Sequence, residues 1–136
     1  MRTVVAVLLI AAGASLASPS VLGAPPTTSL RIAYWEDGSG TTPDAVWTLR
    51  CNPARGSLAL PARACKRLAA GGAKLFAPLK PNLVCTEIYG GPQRARVVGM
   101  LAGRRIWSTF TRTNGCEIDR WRRLSPWLLP PGGMTS

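Results

Sequence analysis

The sequence contains no histidine, and this absence narrows the chemistry open to the protein. Ser-His-Asp and Cys-His catalysis both need an imidazole as general base, and imidazole is also the commonest metal-binding side chain. A Cys-x-x-Cys pair, which would suggest a zinc site, is missing as well. We therefore predict a binding protein rather than an enzyme, with no metal site and no cofactor.

Acidic residues are scarce, and their scarcity gives the chain a strong positive charge. Six acids stand against 17 lysines and arginines, for a net charge of +11. This balance favours acidic partners, but it indicates a soluble basic surface more directly than a specific nucleic acid site. Only Arg120-Trp121-Arg122-Arg123 forms a basic cluster. Binding of anionic polymers through that cluster is retained as the alternative function.

Long apolar runs are absent beyond the amino terminus. Arg2 precedes an apolar run at residues 4–12, which is followed by small residues, and this order is typical of a secretory signal peptide. Residues 1–24 are interpreted as signal and leader, cleaved after Ala17 or after Ala24. No later run is long enough to cross a bilayer. We expect a secreted protein that has no membrane partner once the signal is removed.

The chain has four cysteines, at positions 51, 65, 85 and 116. An even number of cysteines in a small exported chain predicts two disulfides. Four cysteines allow three pairings, and their spacing alone does not select among them.

Alternation of apolar and polar residues predicts mainly strands. The predicted strands lie at 29–35, 45–51, 94–102 and 104–112, and the apolar run at 127–129 is a candidate closing strand. The third and fourth form a hairpin around Ala102-Gly103. On this alternation, Trp47 and Trp107 are assigned to the core, whereas Trp35, Trp121 and Trp127 fit either the core or an interface.

Two stretches favour helices, and two others favour irregular ends. Pro61 and the alanines after it predict a helix at 61–70, which Gly71-Gly72 ends, and a short helix is predicted at 117–123. A flexible arm (25–28) precedes the domain at 29–129, and a loose tail (130–136) follows it. The predicted fold class is α+β with an antiparallel sheet.

One stretch is predicted to form an exposed loop rather than part of the core. A short apolar run, Leu83-Val84, enters Cys85, and the segment from Thr86 to Tyr89 ends in Gly90-Gly91-Pro92. Residues that are β-branched or aromatic favour an extended backbone, and Gly-Gly-Pro ends any regular element. A segment fixed by a disulfide at one end and a turn at the other is extended, exposed and stiff. Such a loop fits the cleft of a protease.

The sequence resembles the Streptomyces-type subtilisin inhibitors, which are small secreted inhibitors of serine proteases. The resemblance spans residues 29–129 and rests on several short pieces. These are Thr48-Leu49-Arg50-Cys51-Asn52-Pro53, Pro61 with Ala64-Cys65 and Leu68, Val84-Cys85-Thr86-Glu87-Ile88-Tyr89, Gly99 with Gly103-Arg104-Arg105, and Phe110 with Asn114-Gly115-Cys116-Glu117. Each piece is weak alone, but four cysteines in this order around this loop are specific.

This resemblance implies a fold and a pairing of the cysteines. The implied fold is a five-stranded antiparallel sheet with two helices packed on it, assembled as a homodimer through the sheet. The implied disulfides are Cys51–Cys65 and Cys85–Cys116.

The resemblance also implies a reactive loop whose partner is an extracellular serine protease. The loop comprises Cys85, Thr86, Glu87, Ile88 and Tyr89, with the scissile bond between Glu87 (the P1 residue) and Ile88 (P1′). Asn114 would support the loop by hydrogen bonding to its backbone, or else serve only in an Asn-Gly turn.

Two departures from the family pattern bear on the target. Glu87 stands where the family usually has Met, Lys or Arg, and an ionised glutamate is costly in an apolar S1 pocket. The expected target is therefore a subtilisin-like protease inhibited more weakly or one that accepts glutamate. Tyr89-Gly90-Gly91-Pro92 also carries one glycine more than the family's Tyr-Asp-Pro, which is expected to loosen the loop after the scissile bond. The opposing hypothesis is a scaffold that has lost inhibition.

Overall fold

The computed structural model describes residues 13–20, 23–24 and 26–132. The apolar run of the predicted signal peptide (4–12) and the last residues of the predicted tail (133–136) lie outside the described residues. Within the described part, no helix combines the length and the apolar character needed to cross a membrane.

A four-stranded antiparallel sheet organises the domain. Its strands are β1 (Ser29–Trp35), β2 (Ala45–Arg50), β3 (Arg94–Leu101) and β4 (Arg104–Phe110), in the order β2-β1-β3-β4. In the central strand Ile32 lies opposite Trp47 on one side and Val97 on the other, and it is fully buried. The predicted α+β class, the antiparallel sheet and four of the predicted strands are thus confirmed.

The predicted fifth strand is not found among the described residues. Trp127, Leu128 and Leu129 follow the last helix as turns, and all three are buried. The amides of Leu128 and Leu129 both donate to the Leu124 carbonyl, at 2.8 and 3.0 Å. Because these amides satisfy the end of a helix, they are not available for a strand ladder, and the apolar run covers the core instead.

Two helices pack on one face of the sheet. Helix α1 (Pro61–Gly71) confirms the helix predicted at 61–70, and it buries Ala64 and Leu68, one turn apart. A 3₁₀ segment, Gly72–Phe76, follows it where the sequence indicates only a connector. This segment turns the Phe76 ring into the core, with its centroid 6.2 Å from that of Phe110.

Helix α2 (Gly115–Leu124) contributes Trp121 and Leu124 to the same core. The Trp121 indole donates to the Pro130 carbonyl at 2.8 Å, and the Arg112 guanidinium donates to the Gly132 carbonyl at 3.0 Å. The part of the tail that the structure describes is therefore attached to the domain, contrary to the loose tail expected. These carbonyls serve as acceptors for buried donors that would otherwise be unsatisfied.

One residue that is predicted to be in the core lies on the opposite, outer face of the sheet. Trp107 is 71% exposed and is not a core residue. It lies opposite Val98 on this outer face, and the Arg96 guanidinium is 5.5 Å from the centroid of its ring. Trp47 does pack against the core, and Trp35, Trp121 and Trp127 are buried. Alternation along β4 predicts which residues share a face of the sheet. It does not predict which of the two faces packs against the core.

The residues just before β1 are fixed rather than flexible. The Thr27 carbonyl accepts from the Gly103 amide at 3.0 Å, and the Thr28 hydroxyl accepts from the Ala102 amide at 3.0 Å. Ala102 and Gly103 have φ values of 47° and 80°, so the hairpin turn is left-handed at both positions, as in two-residue hairpin loops. The predicted arm therefore ends in contacts that hold this turn.

Candidate functional site

The segment from Leu83 to Gly91 lies in no helix or strand and is largely exposed. The side chains of Val84, Ile88 and Tyr89 are 93%, 63% and 61% exposed. Thr86 and Glu87 are exposed as well. Several large apolar side chains grouped in one exposed loop are a typical sign of an interaction site.

The amino-terminal side of the loop is held by a covalent bond and a hydrogen bond. Cys85 is bonded to Cys116, 31 residues away, and the other disulfide joins Cys51 to Cys65. This is the pairing that the family resemblance implies. The Thr86 carbonyl accepts from the Gly115 amide at 2.9 Å. A Cβ on Gly115 would overlap the Thr86 hydroxyl, so the Thr86 side chain packs directly against Gly115.

The carboxyl-terminal side of the loop is held without a covalent bond. The Gly90 amide donates to the Arg112 carbonyl at 2.7 Å. A Cβ on Gly90 would come within 2.8 Å of the Ile118 side chain, so Gly90 packs directly on helix α2. The glycine pair that was expected to loosen this side thus includes one glycine that is closely packed and hydrogen-bonded.

Both sides of the loop are fastened to one short segment, Arg112 to Cys116. Of the residues between the two anchors, Thr86 and Ile88 line a depression of about 400 Å³, together with Ile118 and Asp119 of helix α2. The loop is therefore restrained at its ends more than from beneath. An exposed backbone with fixed ends can be presented to a partner in one conformation.

Asn114 lies beside the loop, and its side chain caps helix α2. Its Oδ1 accepts from the Glu117 amide at 3.0 Å. The backbone contact to the loop comes instead from the neighbouring Gly115. Side-chain oxygens of asparagine are among the best helix caps, so the Asn-Gly pair both starts the helix and places the Gly115 amide under Thr86.

Glu87 projects its charge from the middle of the loop. In the described part of the chain, ion pairs are formed by Arg120 with Glu117 and by Arg122 with Asp119, and Glu87 takes part in neither. The Glu87 carboxylate is therefore free to meet a partner.

The basic cluster Arg120-Trp121-Arg122-Arg123, which is considered for the binding of anionic polymers, is partly buried by the fold. Arg120 is 8% exposed and Trp121 is 1% exposed. The Arg120 guanidinium donates to Glu117 at 2.9 Å and lies 4.6 Å from the centroid of the Phe110 ring. Only Arg122 and Arg123 are exposed, so these four residues do not form a continuous surface for a polymer.

Sequence reasoning did not identify three residues that hold the loop: Arg112, Gln93 and Gly115. Gly115 follows an asparagine, which was enough to predict a turn but not a contact with Thr86. Arg112 and Gln93 are 8% and 6% exposed. Nothing in their neighbourhood in the sequence distinguishes them from surface residues, because their burial depends on segments far away in the chain.

Comparisons with known proteins agree with this geometry. The model of a protein family described as subtilisin inhibitor-like matches residues 24–114, a range that includes the whole loop. The chain is also similar to Streptomyces caespitosus sermetstatin, whose crystal structure was determined in complex with Bacillus licheniformis subtilisin. Identity is 28% and the TM-score 0.52, over 76% of this chain and 97% of the other. Among curated protein sequences, no significant match is found.

Proposed function

Since the chain belongs to the subtilisin inhibitor-like family, we propose that it inhibits a serine protease by offering its loop as a substrate. In this proposal the protease attacks the carbonyl of Glu87, and Glu87–Ile88 is the scissile bond. Cys85, Thr86 and Glu87 occupy the binding sites before that bond, and Ile88 and Tyr89 those after it. The protein contributes no catalytic group of its own.

The observation that carries the proposal is the attachment of both loop ends to the segment from Arg112 to Cys116. Cleavage of Glu87–Ile88 would leave Thr86 held through Gly115 and Cys85, and Gly90 held through Arg112. The new amine of Ile88 would stay beside the acyl-enzyme, where intramolecular reactions reach effective concentrations on the order of 10⁵ M or more. Religation would then compete with hydrolysis, and the protease would remain occupied.

Glu87 determines which protease is suited to the loop. The sermetstatin complex contains a subtilisin, and a subtilisin-like enzyme is accordingly one candidate target. An ionised glutamate left unpaired in an apolar pocket is penalised, whereas a basic pocket would pair with it. We propose a serine protease that is either subtilisin-like or accepts glutamate at S1, and we expect poor inhibition of proteases whose S1 pocket carries a carboxylate.

The test is to measure inhibition constants of the oxidised protein against subtilisin and a glutamate-specific serine endopeptidase. Glu87→Met and Glu87→Gln are measured beside the parent protein, since Gln keeps the shape and removes only the charge. We expect Glu87→Met to strengthen inhibition of subtilisin by about tenfold or more, because the buried charge is removed. Tight inhibition that both substitutions leave unchanged would refute Glu87 as the P1 residue. A chain that is simply digested by both proteases would refute the inhibitor proposal.

We also propose that the protein is secreted and forms a homodimer through the outer face of the sheet. The family similarity and two disulfides support the extracellular setting, because disulfides persist in oxidising compartments. Exposed Trp107, together with the partly exposed Val46 on the same face, supports an interface there. Sedimentation equilibrium measures the oligomeric state directly, and a monomer at micromolar concentration would refute the dimer.

A further inference from the structure

A buried cluster of polar groups lies behind the carboxyl-terminal half of the loop. The Arg112 guanidinium, 8% exposed, donates to the Gln93 side-chain oxygen at 3.1 Å and to the Gly132 carbonyl at 3.0 Å. Neither acceptor is charged, and in the part of the chain that the structure describes Arg112 belongs to no ion pair. A buried guanidinium without a carboxylate depends on each of its neutral acceptors.

The cluster is closely packed around two glycines. A Cβ on Gly132 would overlap the Arg112 guanidinium itself. A Cβ on Gly91, whose φ is +129°, would overlap the Gln93 amide oxygen and lie 3.2 Å from Arg112. The position of the guanidinium is therefore fixed from the loop side by Gly91 and from the tail side by Gly132.

The same residue also holds the loop through its backbone. The Arg112 carbonyl accepts from the Gly90 amide at 2.7 Å, and this is the hydrogen bond that anchors the loop after the scissile bond. The other side of the loop has a disulfide in addition to its hydrogen bond. Two successive glycines lose more backbone entropy on ordering than other residues do, so this non-covalent side is the one more easily released.

We propose that Arg112 is a positioning residue of the inhibitor and that the carboxyl-terminal segment at Gly132 completes the support of the loop. This inference rests on the proposed function, because the step it protects is religation of Glu87–Ile88. Gln93 and Gly132 hold the Arg112 side chain, and Arg112 in turn holds Gly90. Weakening the contacts of Arg112 with Gln93, Gly132 or Gly90 converts the protein from a lasting inhibitor into a substrate that is hydrolysed slowly.

The sharpest variant is Gly132→Ala, which is distant from the loop in sequence and displaces the guanidinium without changing Arg112. Its matched control is Pro131→Ala, at an exposed neighbouring position. With a protease that the parent inhibits, we expect the rate of net hydrolysis at Glu87–Ile88 to rise about tenfold, the usual effect of losing a hydrogen bond to a charged group. The association rate constant is expected to stay the same, because Cys85 and Thr86 keep their anchors.

A second readout needs no protease. Hydrogen exchange is measured by NMR at two amides, Gly90, which donates to Arg112, and Gly115, which donates to Thr86. Gly132→Ala and Arg112→Lys should accelerate exchange at Gly90 and leave Gly115 unchanged. Arg120→Lys is the control for loss of a buried arginine, since Arg120 is equally buried but contacts Thr109 and Glu117 instead of the loop.

The two readouts separate failure of this inference from failure of the proposed function. If the parent inhibits no protease but Gly90 exchange responds selectively, the positioning role of Arg112 stands and the inhibitor proposal fails. If Gly90 exchange is unchanged in Gly132→Ala, or if Gly115 accelerates equally, the inference is overturned whatever the parent inhibits. A parent that inhibits and a Gly132→Ala variant that is hydrolysed no faster would overturn it as well.

Discussion

The two disulfides of this protein lie in contrasting surroundings. Cys51–Cys65 joins the end of β2 to α1, beside Leu49, Ala64 and Leu68, which are at most 1% exposed. Cys85–Cys116 joins the loop to the start of α2, and its neighbour Val84 is 93% exposed. We call the first region, which comprises the four strands and α1, the framework. We call the second region, which comprises residues 83–92 and 112–118, the loop region.

The contrast shows that the same covalent bond has two different uses. In the framework the disulfide adds to a core that is already closely packed, so order there has two sources. In the loop region few apolar contacts are made, because the large apolar side chains Val84, Ile88 and Tyr89 are exposed. Order in that region has to come from the disulfide and from a few hydrogen bonds. Substitutions in one region or the other can therefore separate effects on stability from effects on inhibition.

The largest effect is expected from removing the loop disulfide. Cys85→Ala/Cys116→Ala should lower the free energy of unfolding by about 4 kcal/mol, the chain-entropy value for a loop of this length. Inhibition should weaken by about 100-fold or more and the loop should be cleaved through, because Thr86 is then held by one hydrogen bond. Inhibition constants and mass spectrometry of the product measure both effects.

Removing the framework disulfide is the matched control. Cys51→Ala/Cys65→Ala should cost about 3 kcal/mol of stability. At temperatures where the variant remains folded, its inhibition should match that of the parent, because the loop keeps every anchor. Equal loss of inhibition in both double variants would show that the two regions are not independent.

Side-chain truncation should lower stability in the framework and weaken inhibition in the loop region. Leu49→Ala removes a fully buried side chain and should cost about 2–5 kcal/mol, whereas Val84→Ala should change stability by less than about 0.5 kcal/mol. Inhibition should respond in the opposite order, because Val84 is available to the protease and Leu49 is not. Urea unfolding and inhibition constants of both variants check this, and a destabilised Val84→Ala would refute the description of an unpacked loop.

The smallest effect concerns alkaline pH and the buried side chain of Tyr34. Burial, followed by the hydrogen bond and charge of Glu36, raises the pKa of the Tyr34 phenol above its ordinary value of about 10. Stability from the neutral phenol is therefore fully present below pH 10, and it is lost as the pH rises from 10 toward the folded-state pKa. Unfolding free energies measured between pH 9 and pH 11 should fall less steeply for Tyr34→Phe than for the parent.

A Tyr34→Phe variant whose free energy of unfolding falls as steeply as that of the parent between pH 9 and pH 11 would contradict this prediction.

Local patterns in the sequence predicted most of the framework. Alternation placed β1, β2 and the hairpin, and Pro61 with the alanines placed α1. The family resemblance is confirmed by the match over residues 24–114. Two predictions are wrong, for different reasons. The apolar run at 127–129 is not a strand, because a short apolar run does not distinguish a strand from the buried residues that follow a helix. Trp107 is not a core residue. Periodicity reports that neighbouring residues face opposite ways, but it does not report which way the core lies.

The loop itself was visible in the sequence, and its support was not. A cysteine before an extended run and Gly-Gly-Pro after it are local features, so the exposed segment and its covalent end could be located. The Asn114 cap illustrates the limit, because the Asn-Gly pair predicts a turn and leaves open what the next amide contacts. That amide contacts Thr86, which belongs to a segment distant in the sequence that the Cys85–Cys116 bond also joins to this one.

By itself, then, the sequence determined four strands, both α-helices, the cysteine count and the exposed loop, because each depends on neighbours within a few residues. The tertiary structure alone decided that Arg112 lies under Gly90 and that Gly132 closes the far side of its guanidinium. Gly90, Arg112 and Gly132 belong to segments that are separate in the chain, and their polar groups are paired because burial makes an unpaired donor costly. Which donor meets which acceptor depends on how the sheet, α2 and the tail pack together.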